Sequence, residues 1–159
     1  MSMHPQPIPA IPEETMRIAQ AVLPQGNVWM QMRDQLGTLS EDENFADLFP
    51  SRGQPAEAPW RLALVTLMQY AEGLTDRQAA DAVRTRIDWK YALSLELTDT
   101  GFDFSVLTEF RGRLLAQGAE RRLFDLLLAQ FLQRGWIKAR GKQRTSRPMC
   151  WQPSVACAD

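Results

Sequence analysis

The side chains of this sequence best suited to chemistry are basic and hydroxyl residues in its central and C-terminal parts. Arginine can donate paired hydrogen bonds to guanine or phosphate, lysine binds phosphate as a point charge, and threonine contacts either group. The residues concerned are Arg77, Arg84, Arg86, Lys90, Thr108, Arg111, Arg113, Lys138, Arg140, Lys142 and Arg144. Their types indicate contacts with nucleic acid.

The positive charge is concentrated in one part of a chain that is nearly neutral as a whole. The 159 residues carry a net charge of −1. Residues 1–59 hold 3 basic and 8 acidic side chains, whereas residues 60–144 hold 14 basic and 10 acidic ones. A DNA contact is therefore expected in the second part. This modest excess is also common on ordinary protein surfaces, so it carries little weight alone.

No catalytic or metal-binding constellation accompanies these residues. The sequence has no nucleophile elbow, P-loop, dinucleotide-binding glycine turn or HExxH motif. The acidic runs at 13–14 and 41–43 stand at predicted helix starts, where capping accounts for them. His4 lies alone in a proline-rich start, and Cys150 and Cys157 fit no zinc spacing. We predict no catalytic residue, metal ligand or cofactor in this chain.

No signal peptide is visible, and no apolar run reaches the roughly 18 residues of a membrane span. The apolar stretch 123–132 is short and is interrupted by Asp125 and Gln130. The expected location is the cytoplasm.

A central segment that begins at Pro59 organises the predicted fold. Proline suits the first turn of a helix, where its missing N–H would be unpaired in any case. Leu62, Val65, Met68 and Tyr70 follow at roughly helical spacing. The pattern predicts a buried helix that includes Tyr70.

A tight turn and two shorter helices follow in the sequence. Gly73 suits the end of a helix, and Thr75 with Gln78 forms a capping-box pair that predicts a helix over 76–84. Asp88 is expected to cap a third helix. This order of helices and turns is typical of a helix-turn-helix DNA-binding unit, although short helices with tight turns also occur in bundles that never bind DNA.

Two predicted helices carry the side chains expected to contact DNA bases. Lys90 lies on the third helix of the unit, and Thr108, Arg111 and Arg113 lie on the following helix. The alternative is the solvated face of an ordinary bundle. The alternating basic residues of segment 138–144 predict either a phosphate-tracking arm or a solubilising linker.

The remaining segments also predict helices, and no strand pattern is found. The expected fold is an all-α bundle of about seven helices with a helix-turn-helix-like segment and disordered tails. The expected organisation is a flexible N-terminus over 1–10, a helical domain over 11–137, a basic linker over 138–145 and an unstructured tail over 146–159.

Residues 11 to 144 resemble the N-terminal region of bacterial insertion-sequence transposases with a DDE catalytic domain, the InsH-like transposases. The matching stretches are IPEET at 11–15, FADLFPSRGQPAEAPWRLALVTLMQYAEGLTDRQAADAVRTRIDWKYAL at 45–93, LELTDTGFDFSVLTEFRGRLL at 95–115 and KARGKQRT at 138–145. The resemblance implies a helical region that grips the terminal inverted repeats of the element. It also implies that in such transposases a following nuclease domain cuts and joins strands with two Mg²⁺ ions held by Asp, Asp and Glu.

The sequence departs from this family after Thr145, where members continue into the strand with the first catalytic aspartate. This chain instead continues SRPMCWQPSVACAD. A DNA sequence can be written that encodes residues 147–155 in one reading frame. When its first two bases are skipped, it encodes Thr-His-Val-Leu-Ala-Ala-Val-Arg, which is the family sequence at this place. Met149 and Trp151 have single codons and leave no choice. We expect a frameshift near residues 145–146 and a product without the catalytic half.

Three functional hypotheses follow. The first is a truncated transposase whose remaining activity is binding to double-stranded DNA at the element ends. The second is an interaction module, a homodimer for example, formed through apolar residues of the last helix. The third is the short product of a longer transposase that is completed by ribosomal frameshifting. The residues of the second hypothesis are Leu123, Leu126, Leu127, Phe131 and Leu132.

The frameshift hypothesis makes a prediction about the gene. We expect its nucleotide sequence, read two bases into the codon for Arg147, to encode the family stretch given above and to continue through a catalytic domain or its remnant. Sequencing of the locus checks this. A slippery run of bases before an intact downstream frame would indicate programmed frameshifting, and an unrelated downstream frame would contradict the hypothesis.

Overall fold

The structure is a computed structural model that describes residues 7–38, 41–49 and 57–133. These residues form seven α-helices and one 3₁₀ helix and include no strand, which confirms the predicted all-α class. The elements are α1 (Glu13–Val22), α2 (Val28–Leu36), the 3₁₀ helix (Asp42–Leu48), α3 (Pro59–Glu72), α4 (Asp76–Thr85), α5 (Ile87–Ala92), α6 (Ser105–Ala116) and α7 (Glu120–Gln133).

Several predicted features fall outside this description. The basic linker with Lys138, Arg140, Lys142 and Arg144, and the tail over 146–159, lie beyond the described residues. Residues 7–10 of the predicted flexible start are described, and Ile8 packs against the core. Among the described helices, none is long and apolar enough to cross a membrane.

The core is built around α3. Trp60, Val65 and Met68 are fully buried, and α4, α6 and the 3₁₀ helix all pack against this helix. A helix that is apolar on every side is expected to lie inside a domain. The prediction that Tyr70 is also buried is wrong, because its side chain is 89% exposed. Tyr70 and Ala71, in the last turn of α3, are both exposed and lie outside the core.

A smaller apolar cluster joins α1 and α2 to α5. Ala19, Met30 and Tyr91 form its buried part, one from each helix. The hydroxyl of Thr15 on α1 donates to the carbonyl of Leu95 over 2.8 Å in a buried hydrogen bond. Helix α5 also contacts α4, so it connects this layer to the central one.

The predicted helix starts are confirmed at Thr75 and corrected at Asp88. The Thr75 hydroxyl accepts from the backbone N–H of Gln78 and the Gln78 side chain accepts from the N–H of Thr75, as a capping box requires. Asp88, however, does not cap α5. The helix begins at Ile87, and the buried Asp88 carboxylate binds the Arg86 guanidinium instead.

The segment between α5 and α6 lies directly on α4. Gly101 has a φ of +67°, and a Cβ at this position would come within 3.1 Å of Val83 Cγ1. Both the backbone conformation and the close contact therefore require glycine. Gly112, on α6, has open space around its Cα.

We expect Gly101→Ala to lower the free energy of unfolding by about 1–3 kcal/mol, the usual cost of a left-handed non-glycine residue. Gly112→Ala, the matched control, should raise it by about 0.5–1 kcal/mol, because alanine favours an exposed helical position. Urea unfolding followed by circular dichroism measures both values. Equal effects of the two substitutions would contradict the close packing of Gly101 on α4.

Candidate nucleic-acid interface

The two helices α3 and α4 are joined by a three-residue turn, Gly73 to Thr75. Gly73 adopts the left-handed conformation with a φ of 66° and ends α3. The capping box at Thr75 then begins α4 at once. Both ends of the turn are therefore fixed by local interactions, and these fix the direction in which α4 leaves α3.

The carboxylate of Asp76, the first residue of α4, joins three helices. It accepts hydrogen bonds from Gln69 Nε2 on α3 at 2.7 Å, and from Thr108 Oγ1 at 2.9 Å and an Arg111 nitrogen at 2.6 Å on α6. The hydrogen bond from Arg111 is the main reason that the pKa of Asp76 falls to about 2, and those from Gln69 and Thr108 add to it against the effect of burial. Thr108 and Arg111, which we predicted as DNA contacts, therefore position α4 on α6.

Lys90, also predicted as a DNA contact, lies inside the fold. The residue is only 3% exposed, and its ammonium donates to the carbonyl oxygens of Asp99 at 2.6 Å and Glu96 at 3.3 Å. Burial lowers its pKa below the usual lysine value, partly offset by the charge of Asp99. The residue fixes the segment after α5, and its ammonium is already bound by protein carbonyls.

Arg86 connects the end of α3 to the start of α5. Its guanidinium forms ion pairs with Glu72 and Asp88 and lies over the Trp89 ring, 5.4 Å from the centroid. The Asp88 carboxylate also accepts from the Asn27 side chain at 2.6 Å. The hydrogen bonds to Asp88, followed by those to Glu72, raise the pKa of Arg86 above its usual value despite burial.

Arg113, the remaining predicted contact on α6, is directed toward the 3₁₀ helix. It lies 5.0 Å from the centroid of the Phe49 ring, and one of its nitrogens donates to the Leu48 carbonyl at 3.5 Å. A second arginine that binds the 3₁₀ helix was not predicted from the sequence. Arg122 on α7 forms two hydrogen bonds to the Asp47 carboxylate, at 2.6 and 2.9 Å.

Arg77 and Arg84 are the predicted contacts that α4 exposes to solvent. The Arg77 guanidinium lies over the Phe104 ring, 4.7 Å from its centroid. Arg84 donates from Nε to the Thr100 carbonyl at 3.2 Å and forms a long ion pair with Asp81 at 3.8 Å. The structure thus places both arginines beside the segment that leads into α6, a neighbourhood that helical periodicity does not reveal.

Within the described ranges, no group of three or more histidine, cysteine, aspartate or glutamate side chains could hold a metal ion. The carboxylates of Asp76 and Asp88 are instead bound by arginine. These residues do not fit the Mg²⁺ centre that the resemblance implies for a catalytic domain, and we derive no metal-dependent step from them.

Comparison with known families assigns most of the described helices to one family. The family model described as "Transposase domain (DUF772)" matches residues 17–113, which is more than half of the chain and includes the turn between α3 and α4 and the whole Asp76 network. No curated protein and no solved structure gives a significant match. The chain therefore belongs to the transposase domain family DUF772, and its resemblance to the N-terminal region of insertion-sequence transposases is confirmed.

The Asp76 network predicts a pH-dependent contribution to stability. We expect Asp76→Asn to lower the free energy of unfolding by about 1–3 kcal/mol near pH 7, since it removes charged hydrogen bonds. Because the folded pKa is about 2 and the unfolded one about 3.9, the wild-type advantage should be full above the unfolded pKa and shrink as pH falls toward 2.

Chemical denaturation of both proteins at a series of pH values gives this difference. The control is Asp125→Asn, which alters an exposed carboxylate on α7 and should change stability by less than about 0.5 kcal/mol. A difference between wild type and Asp76→Asn that stays constant from pH 7 to pH 2 would contradict the network.

Proposed function

We propose that this chain is the DNA-binding part of an insertion-sequence transposase. In the proposal it binds double-stranded DNA, and α3, the turn and α4 form a helix-turn-helix. The observation that carries the proposal is the three-residue turn with Gly73, followed by a capped helix whose arginines are exposed. In such units the second helix enters the major groove. Helix α4 is therefore the recognition helix of the proposal, in place of α5 and α6.

The two faces of α4 differ in the way that a recognition helix requires. Its inner face buries Ala79, Ala80, Ala82 and Val83, small side chains that let the helix pack closely on its neighbours. Its exposed residues, at positions 77, 78, 81, 84 and 85, recur at helical spacing and therefore lie on one side of the helix. Arginine and glutamine are side chains that bind guanine and adenine edges. The exposed residues are Arg77, Gln78, Asp81, Arg84 and Thr85.

The proposal changes the role of several predicted contacts. Lys90, Arg86, Thr108 and Arg111 stabilise the arrangement that presents α4. The basic segment 138–144, which includes Lys138, Arg140, Lys142 and Arg144, remains a proposed phosphate-binding arm. The proposed targets are the ends of the mobile element, as the membership in a transposase family favours. Strand cleavage is assigned to the Mg²⁺-dependent catalytic domain of the family and to none of the described residues.

Fluorescence anisotropy with a labelled duplex tests the proposal. We expect binding that weakens steeply between about 50 and 200 mM salt. The double variant Arg77→Ala/Arg84→Ala should bind more weakly, with the slope of log K against log salt reduced by about 2 if each arginine contacts one phosphate. The control, Arg17→Ala/Arg121→Ala, removes the same charge from exposed positions on α1 and α7 and should keep the wild-type slope.

Absence of binding at low salt would overturn the proposal. In that case a molecular mass that rises with protein concentration in light scattering would favour the second candidate function, self-association. The observation behind this alternative is the exposure of Leu115 on α6 and of Phe124 and Leu132 on α7. Large exposed apolar side chains can contribute to a protein interface when they lie close together.

A further inference from the structure

A groove of about 300 Å³ separates α4 from the segment that leads into α6. Because Arg77 and Arg84 belong to its wall, the groove lies on the surface that we propose to face DNA. An inference about its ligand therefore rests on the proposed function. The lining residues that bear on the ligand are Arg77, Asp81, Arg84, Phe102, Asp103 and Phe104.

The charges of the groove cancel. The two arginines are balanced by Asp81 and Asp103, so an anion alone would meet as many negative as positive groups. Hydrogen bonds from Ser105, supported by the charges of Arg77 and Arg84, lower the pKa of Asp103, and its carboxylate is an ionised acceptor at neutral pH. Such a groove suits a neutral ligand that has both donors and acceptors on its edges.

The groove also offers planar surfaces. Phe104 is 37% exposed, and the Arg77 guanidinium lies over its ring, 4.7 Å from the centroid. Phe102 is half-buried and packs against the core. This packing holds the segment that forms one wall of the groove. Aromatic rings and guanidinium planes are the groups on which nucleobases stack.

The wall of the groove is held in place by the protein itself. The buried ammonium of Lys90 binds the carbonyls of Glu96 and Asp99, and the Asp99 side chain accepts from the N–H of Gly101 at 2.7 Å. Gly101 in turn lies so close to α4 that an added Cβ would come within 3.1 Å of Val83 Cγ1. The groove is therefore formed before any ligand arrives, which reduces the entropic cost of binding.

We propose that this groove binds one unpaired nucleobase of DNA, stacked on the exposed part of the Arg77–Phe104 pair and hydrogen-bonded by Arg84 and the aspartates of its walls. Nucleobases are planar and neutral, and their edges carry both donors and acceptors. They match the cancelled charges and the aromatic wall better than a backbone phosphate does. A base that leaves the stack is read in other proteins by this combination of edge hydrogen bonds and stacking.

Anisotropy titrations of the full 159-residue chain with three labelled duplexes of one sequence test the proposal. The first duplex is fully paired, the second has a single bulged nucleotide, and the third has an abasic site at the bulge. We expect the bulged duplex to bind about fivefold tighter or more, as one stacked base allows. The abasic duplex, which shares the bend but lacks the base, should bind like the paired one.

The variant Phe104→Ala should lose this preference and Phe104→Trp should keep it, because only the second retains an aromatic surface. Thermal unfolding confirms that each variant is folded. Equal binding of all three duplexes by the wild type, or a preference that survives in Phe104→Ala, would overturn the nucleobase site while leaving duplex binding intact. Failure to bind any duplex at low salt would overturn the proposed function as well.

Discussion

The arrangement of α3, α4 and α6 depends on the hydrogen bonds that the Asp76 carboxylate accepts. It stands at the N-terminus of α4, where a negative charge is favoured by the helix dipole, and it accepts from Gln69, Thr108 and Arg111. Removal of one member of such a partly buried ion pair leaves the other charge without compensation. With the Asp76 hydrogen bonds in place, α4 is held at its first residue, and the opposite face of the helix stays exposed.

A second set of polar contacts stabilises α5, which has only six residues. A helix of this length is unstable alone. Its Asp88 binds Arg86 and the Asn27 side chain, and its Lys90 binds two carbonyls of the following segment. Helix α5 thereby connects the α1–α2 layer to α4 and fixes one wall of the groove beside it.

Charged residues of this transposase-family domain fall into two groups. Arg86, Lys90 and Arg111 bind other parts of the fold and hold helices together, whereas Arg77 and Arg84 remain at the surface of α4. Of the first group only Lys90 is buried, and its burial is tolerated because its ammonium binds two backbone carbonyls. The proposed DNA-binding role therefore rests on the second group and on the rigidity supplied by the first.

The sequence by itself determined the all-α class, both ends of α3 and the start of α4, because apolar periodicity, glycine stops and capping pairs act between near neighbours. Only the tertiary structure decided which basic side chains face solvent. Asp76 and Arg111 are 35 residues apart, and Lys90 meets carbonyls of an irregular segment, so no local pattern reveals these pairings. The exposure of Tyr70 has a similar origin: helical spacing identifies its face of α3, but the extent of the core along that helix depends on where the other helices pack.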